Sequence, residues 1–177
     1  MTRVPYDTVL INGSVGTGKT TTAERLAAEL ERRDVPGAVI DVDWLRRAWP
    51  APAHDPFRAG LARENMRAIA TNVRREGAQV LVVATVVESV DQLRGDAAAL
   101  AAERLLHVRL TASPDTVRSR LGRRHAGDPA ELEWHRRRHP ELAGILDRAG
   151  FTDELLLDTT DVSVDEAVTT ILAALDR

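Results

Sequence analysis

Apolar and polar positions alternate between two periods along this 177-residue chain. Short β-branched runs at Thr8–Asn12, Ala38–Asp43, Gln79–Val87, Leu105–Leu110 and Glu154–Asp158 read as strands. Between them, spacings of three and four predict helices. The first runs over Thr21–Arg33, with Ala23, Leu26, Ala27 and Leu30 on one face. The next, Phe57–Arg75, carries Leu61, Asn65, Ala68/Ile69 and Val73 and stops at Gly77. Further helices are predicted over Val90–Glu103, from Ser113-Pro114 onward, over Ala130–Arg148 with Trp134, Leu142 and Ile145, and after Ser163. Strand–helix alternation throughout implies one parallel α/β sheet with right-handed crossovers, in a single domain over residues 1–177. Ligands on such a sheet gather at the carboxyl ends of the strands.

The junction of the first strand and first helix reads Gly13-Ser14-Val15-Gly16-Thr17-Gly18-Lys19-Thr20, the G-x-x-x-x-G-K-T phosphate-binding loop or Walker A motif. Glycines let consecutive backbone N–H groups curl round phosphate oxygens, and the helix that follows aims its positive end at the same anion. Gly13 to Thr21 are therefore the expected nucleotide contacts. Lys19 supplies a point charge for the β- and γ-phosphates, and the Thr20 hydroxyl suits Mg²⁺. Of 24 Lys+Arg residues, Lys19 is the single lysine. A composition that otherwise prefers arginine keeps a compact ammonium here.

Composition bounds the rest. Apolar content of 44% and charged content of 29% are those of a soluble globular protein. A net charge of −3 gives no general drive toward nucleic acid or anionic membrane. Without cysteine there is neither a disulfide nor a thiolate metal site. Met1-Thr-Arg-Val-Pro-Tyr6 lacks the apolar stretch of a leader and no run approaches a membrane span, so a cytoplasmic location is expected.

Three stretches resemble the small P-loop kinases, the nucleoside-monophosphate kinase-like group that includes adenylylsulfate, gluconate and shikimate kinases and chloramphenicol phosphotransferase. They are Gly13–Thr20; Asp41-Val-Asp43-Trp-Leu-Arg46, an acidic strand end followed by arginine; and Arg120-Leu-Gly-Arg-Arg124, similar to an arginine-bearing lid. The resemblance implies a three-layer fold with a five-stranded parallel sheet ordered 2-3-1-4-5, a lid at about residues 120–135, and ATP with Mg²⁺. It makes Asp43 the candidate general base, with Asp41 assisting through metal-bound water or a hydrogen bond. Read as a strand, the segment puts Asp41 and Asp43 on one side. The third strand, Val82-Val83-Ala84-Thr85, lacks the usual metal-holding acid, so either Thr20 and the phosphates hold the cation with waters, or Asp43 or Glu88 substitutes, and Asp43 stands as base, metal partner or both. Arg120 and Arg124 are candidates to neutralise the transferring phosphoryl group, with stacking on adenine the alternative for Arg120. Asp41, Arg46 and Glu88 are candidate acceptor contacts, and Trp44, Arg47 and His54 could line the same pocket.

The implied activity is transfer of the γ-phosphoryl group to a hydroxyl of a small metabolite or natural product, an antibiotic among the options. The competing reading is a nucleotide-dependent switch acting on a protein partner.

Overall fold

The computed structural model describes residues 5–152 and 154–176. Met1–Val4, the start of the stretch read for a leader, lie outside the described residues. The elements run β1 (Thr8–Gly13), α1 (Lys19–Arg32), β2 (Gly37–Asp41), α2 (Val42–Leu45), α3 (Ala59–Arg75), β3 (Val80–Ala84), α4 (Val90–Ala99), β4 (Leu105–Thr111), α5 (Pro114–Arg124), α6 (Pro129–Arg148), β5 (Glu154–Asp158) and α7 (Val164–Leu175). The sheet is parallel throughout and ordered β2-β3-β1-β4-β5, the order expected.

Side-chain alternation on the strands divides the core between two faces. Val80, Val82 and Ala84 of β3 join Val9, Ile11, Leu26 and Ile171 beneath α1 and α7. Leu81 and Val83 point the other way, into a cluster with Ile40, Met66, Ala70 and Leu100 beneath α3 and α4. Both faces of the central strands are covered, which is why their sequences are continuously apolar rather than alternating. Val9, Leu10, Ile11, Leu81 and Val83 are fully buried. Removing several methylenes from any one of them would cost about 2–5 kcal/mol.

Two strand ends differ from the pattern-based expectation, and both differences shape the cleft above them. β3 stops at Ala84 instead of Val87. The buried Asn12 amide takes over the backbone of Val87 on both sides, accepting from its N–H at 3.0 Å and donating to its carbonyl at 3.0 Å. That clamp turns the chain so that Glu88 opens toward the cleft. β2 stops at Asp41 instead of Asp43, because the Asp41 carboxylate accepts from the Asp43 N–H at 2.9 Å and caps the short helix α2. Asp41 and Asp43 therefore do not follow strand alternation, although the charges of both act on Lys19.

Helix starts follow the sequence closely. Ser113, with Pro114 behind it, caps α5; Asp128 caps α6; Ser163 and Glu166 form a reciprocal capping box on α7.

Candidate active site

The glycine loop joins β1 to α1 at the carboxyl edge of the sheet. At Gly13, with φ of 147°, an added Cβ would fall 2.5 Å from the Leu110 carbonyl oxygen, and at Gly16, with φ of 80°, it would fall 2.8 Å from Val117. Any larger residue at either position would push the loop off β4 and α5. Within the loop, the Thr17 hydroxyl donates to the Ser14 carbonyl at 2.9 Å. The Lys19 ammonium donates to the same oxygen at 3.0 Å. Burial pushes Lys19 down to about 8, against the opposing attraction of Asp43 and Asp41.

The first turn of α1 meets the end of β2 where the Thr20 hydroxyl donates to Asp41 Oδ2 at 2.8 Å. One carboxylate oxygen thus caps α2 while the other faces Thr20. Asp43, the expected partner of Thr20 at the metal, stands two residues on, at the second position of α2. Its side chain is 72% exposed and forms an ion pair with Arg46 at 3.5 Å. The alcohol–carboxylate pair hydrogen-bonded beside the lysine is Thr20 with Asp41.

A cleft of about 930 Å³ opens over the loop. It is lined by residues 15–22 with Arg120, Arg123 and Arg124, and also by Asp43, Arg46, Phe57, Arg63, Glu88 and Arg138; the charges of Asp43 and Arg46 act on Lys19. Glu88 accepts from Arg138 at 2.7 Å, and the Arg138 guanidinium lies 5.6 Å from the Phe57 ring centre. Arg63 is held by the buried Asp96 at 3.0 Å. Burial raises the Asp96 carboxyl, in spite of Arg63. Asn65 donates to the Leu45 carbonyl at 2.7 Å, which fixes α2, and with it Asp43, against α3.

The two arginines of α5, Arg120 and Arg124, part company. Arg120 donates to the Thr159 carbonyl at 2.6 Å, to the Thr159 hydroxyl at 3.0 Å and to the Thr17 carbonyl at 3.4 Å. It ties the loop to the end of β5 through two carbonyls and one hydroxyl. Arg124 is exposed on the cleft wall, and its charge is felt at Lys19.

Of the other residues singled out in the sequence, Thr21 lines the cleft beside the loop. Trp44 is 67% exposed with Arg47 stacked on it at 4.4 Å, and His54 is exposed; none of these three lines the cleft. On α6 the buried face is His139, Leu142 and Leu146, while Trp134 is 47% exposed. His139 Nδ1 lies 2.8 Å from the Ser14 hydroxyl and 3.1 Å from the Val15 carbonyl oxygen, so α6 braces the loop from behind. The signal for this was the i, i+3, i+7 spacing of His139, Leu142 and Leu146, obscured by the arginine run before it.

A glycine loop between the first strand and helix, in a parallel sheet ordered 2-3-1-4-5, defines a P-loop protein with the fold of the small kinases. The chain belongs to the AAA domain family, whose model matches residues 9–144. Among solved structures it is similar to a gluconokinase from Sinorhizobium meliloti 1021, at 20% identity and a TM-score of 0.65, covering 98% of this chain and 93% of the other. It is also similar to a shikimate kinase from Acinetobacter baumannii in complex with shikimate, at 18% identity and a TM-score of 0.62, covering 96% and 93%. No curated protein matches the sequence at a significant level. Among the described residues no helix is long and apolar enough to cross a membrane.

Proposed function

We propose that the protein is a kinase of one domain, with a lid at about residues 120–135, that transfers the γ-phosphoryl group of ATP to a hydroxyl of a small metabolite or natural product, antibiotics included. The observation that carries this reading is the division of labour across one cleft. A lysine and an alcohol–carboxylate pair stand at the glycine loop, and a separate exposed carboxylate, Asp43, lines the same cleft within electrostatic reach of Lys19.

Thr20 and Asp41 offer oxygen donors only, 2.8 Å apart, at the point where the β- and γ-phosphates would lie. That donor set suits a hard cation such as Mg²⁺, held directly by Thr20 and by Asp41 through water. When bound, Mg²⁺ would supply neutralising charge between those phosphates. The loop N–H groups and the amino end of α1 bind the phosphates, and Lys19 holds the β- and γ-oxygens. Asp43, oriented by Arg46, accepts the proton of the incoming hydroxyl. The acceptor oxygen bonds to the γ-phosphorus as its bond to the β-phosphate oxygen breaks, and ADP leaves. Arg124 stabilises the charge spread over the transferring group. Arg46 and Glu88 with Arg138 contact the acceptor.

The test is to incubate purified protein with ATP, Mg²⁺ and pooled hydroxylated metabolites and antibiotics, and to read products by mass spectrometry. A small molecule carrying one added phosphoryl group supports the reading. ATP binding with no turnover dependent on any small acceptor overturns it in favour of a nucleotide-dependent switch.

A further inference from the structure

At the corner between α5 and α6, three side chains outside the proposed catalytic set turn toward one point. His125 ends α5, Glu131 lies in the first turn of α6, and His135 follows one turn later on the same face. His125 Nδ1 lies 3.3 Å from Glu131 Oε2, and His135 Nε2 lies 3.5 Å from Glu131 Oε1. One nitrogen from each ring and one carboxylate oxygen all fall within 4.8 Å of one another. From this convergence we infer that His125, Glu131 and His135 form a binding site for a zinc-like divalent cation, distinct from the Thr20–Asp41 position.

The separations carry the argument. Ligands at about 2.0–2.1 Å from a tetrahedral Zn²⁺ stand about 3.3–3.4 Å from each other. Each imidazole nitrogen already stands at about that distance from a Glu131 oxygen, His125 from Oε2 and His135 from Oε1, and side-chain rotations that bring the ligand atoms in from up to 4.8 Å complete the set. Two imidazoles and one carboxylate with a fourth position open to water is a donor set that zinc and its first-row neighbours favour, whereas Mg²⁺ prefers oxygen.

A salt-bridge role explains the cluster less well. The His125 side chain is only 7% exposed and that of His135 17%, against 52% for Glu131. One buried ring and one partly buried ring are thus spent on one exposed carboxylate. Their centres are 4.5 Å apart and their planes 30° from parallel, a stacking that disfavours two imidazolium charges side by side. The remaining nitrogens, His125 Nε2 and His135 Nδ1, are buried without a hydrogen-bond partner, so Glu131 is the polar group that draws the two rings together. Trp134 packs edge-on against His135 at 4.8 Å and shields one side. Arg124 is the neighbouring positive charge that acts on His135, and it will moderate the affinity.

The location gives the site a consequence. A cation there links the carboxyl end of α5 to the first two turns of α6 across the 125–128 connection. That corner carries Arg123 and Arg124 on the cleft wall. Occupancy would hold the lid arginines in place, and the inference stands independently of the kinase reading.

The test uses the full chain freed of metal with a chelator and titrated with ZnCl₂ by calorimetry, alongside Co²⁺ absorption and thermal unfolding. The site predicts one Zn²⁺ bound, visible bands of tetrahedral Co²⁺, and a melting temperature raised by on the order of 5 °C with zinc in hundredfold excess over Kd. Glu131→Gln and His135→Asn, both at positions with solvent access, should each weaken zinc binding at least about tenfold and abolish the Co²⁺ bands. Asp41→Asn should leave both unchanged. Absence of zinc binding, or binding that survives Glu131→Gln and His135→Asn but is lost in Asp41→Asn, overturns the inference.

Discussion

The Thr20 hydroxyl donates to Asp41 across 2.8 Å, joining the first turn of the loop helix to the end of the neighbouring strand. This contact separates two carboxylates that stand only two residues apart. Asp41 is bound on both oxygens, to Thr20 and to the Asp43 N–H, while Asp43 carries its own carboxylate into the cleft.

Asp41→Asn should therefore act on the nucleotide side. It keeps the cap on α2 through the remaining amide oxygen but removes the charge facing Thr20. The Mg²⁺ concentration needed for half-maximal ATP binding should rise about tenfold or more, with little change in Tm. An unchanged Mg²⁺ requirement would remove Asp41 from the metal position.

Lys19, lowered to about 8 by burial, makes nucleotide affinity depend on pH. Below that value the ammonium is charged and ready for phosphates; above it, binding must also take up a proton. ATP affinity should be highest near neutrality and fall by up to about tenfold per pH unit above 8. Lys19→Ala should bind weakly at all pH values and lack the slope. A wild-type affinity that stays flat to pH 9.5 would contradict this.

Arg120 and Arg124 should separate cleanly on substitution. Arg120→Ala loses three contacts joining Thr17 and Thr159 and should cost about 1–3 kcal/mol of stability, read by denaturant unfolding. Arg124→Ala should unfold like the parent, bind ATP nearly as well, and turn over about 10²-fold more slowly. Equal stability losses in the two variants would refute the assignment.

The fold was legible because its signals are local: the glycine loop flanked by an apolar run and a helical stripe, and caps such as Ser113 and Ser163. What escaped was decided by one local cap and by tertiary partners. Asp41 ends its strand early by accepting from the N–H two residues on, where an apolar run ending in two acids reads equally well as a longer strand. Nothing near Val87 in the chain announces that Asn12, seventy-five residues away, will claim its backbone. Arg120 and Arg124 look alike in the sequence and differ only because Thr159 lies within reach of one. His139 was hidden in an arginine run that reads as surface.

The buried His107 supplies a test of stability against pH. Burial, with Arg109 adding to it, pushes its imidazole down to about 4 from an ordinary 6.5. Between those values the unfolded chain binds the proton and the folded chain does not. Stability is then full above pH 6.5 and drops as pH falls toward 4, by about 2–3 kcal/mol in all. His107→Gln, which cannot titrate, should show a shallower acid limb in urea unfolding at pH 7 and pH 5. Parallel limbs would rule out His107 as the cause.

The most direct test of the proposed activity is ATP consumption by wild type and Asp43→Asn, each with Mg²⁺ and with or without a phosphorylatable acceptor. Wild-type turnover should depend on the acceptor and yield its phosphate ester. Asp43→Asn should retain ATP binding within about twofold and lose at least about 10²-fold in turnover. Acceptor-dependent transfer at the wild-type rate in Asp43→Asn would contradict the assigned base, and ATP hydrolysis indifferent to any acceptor would contradict the kinase itself.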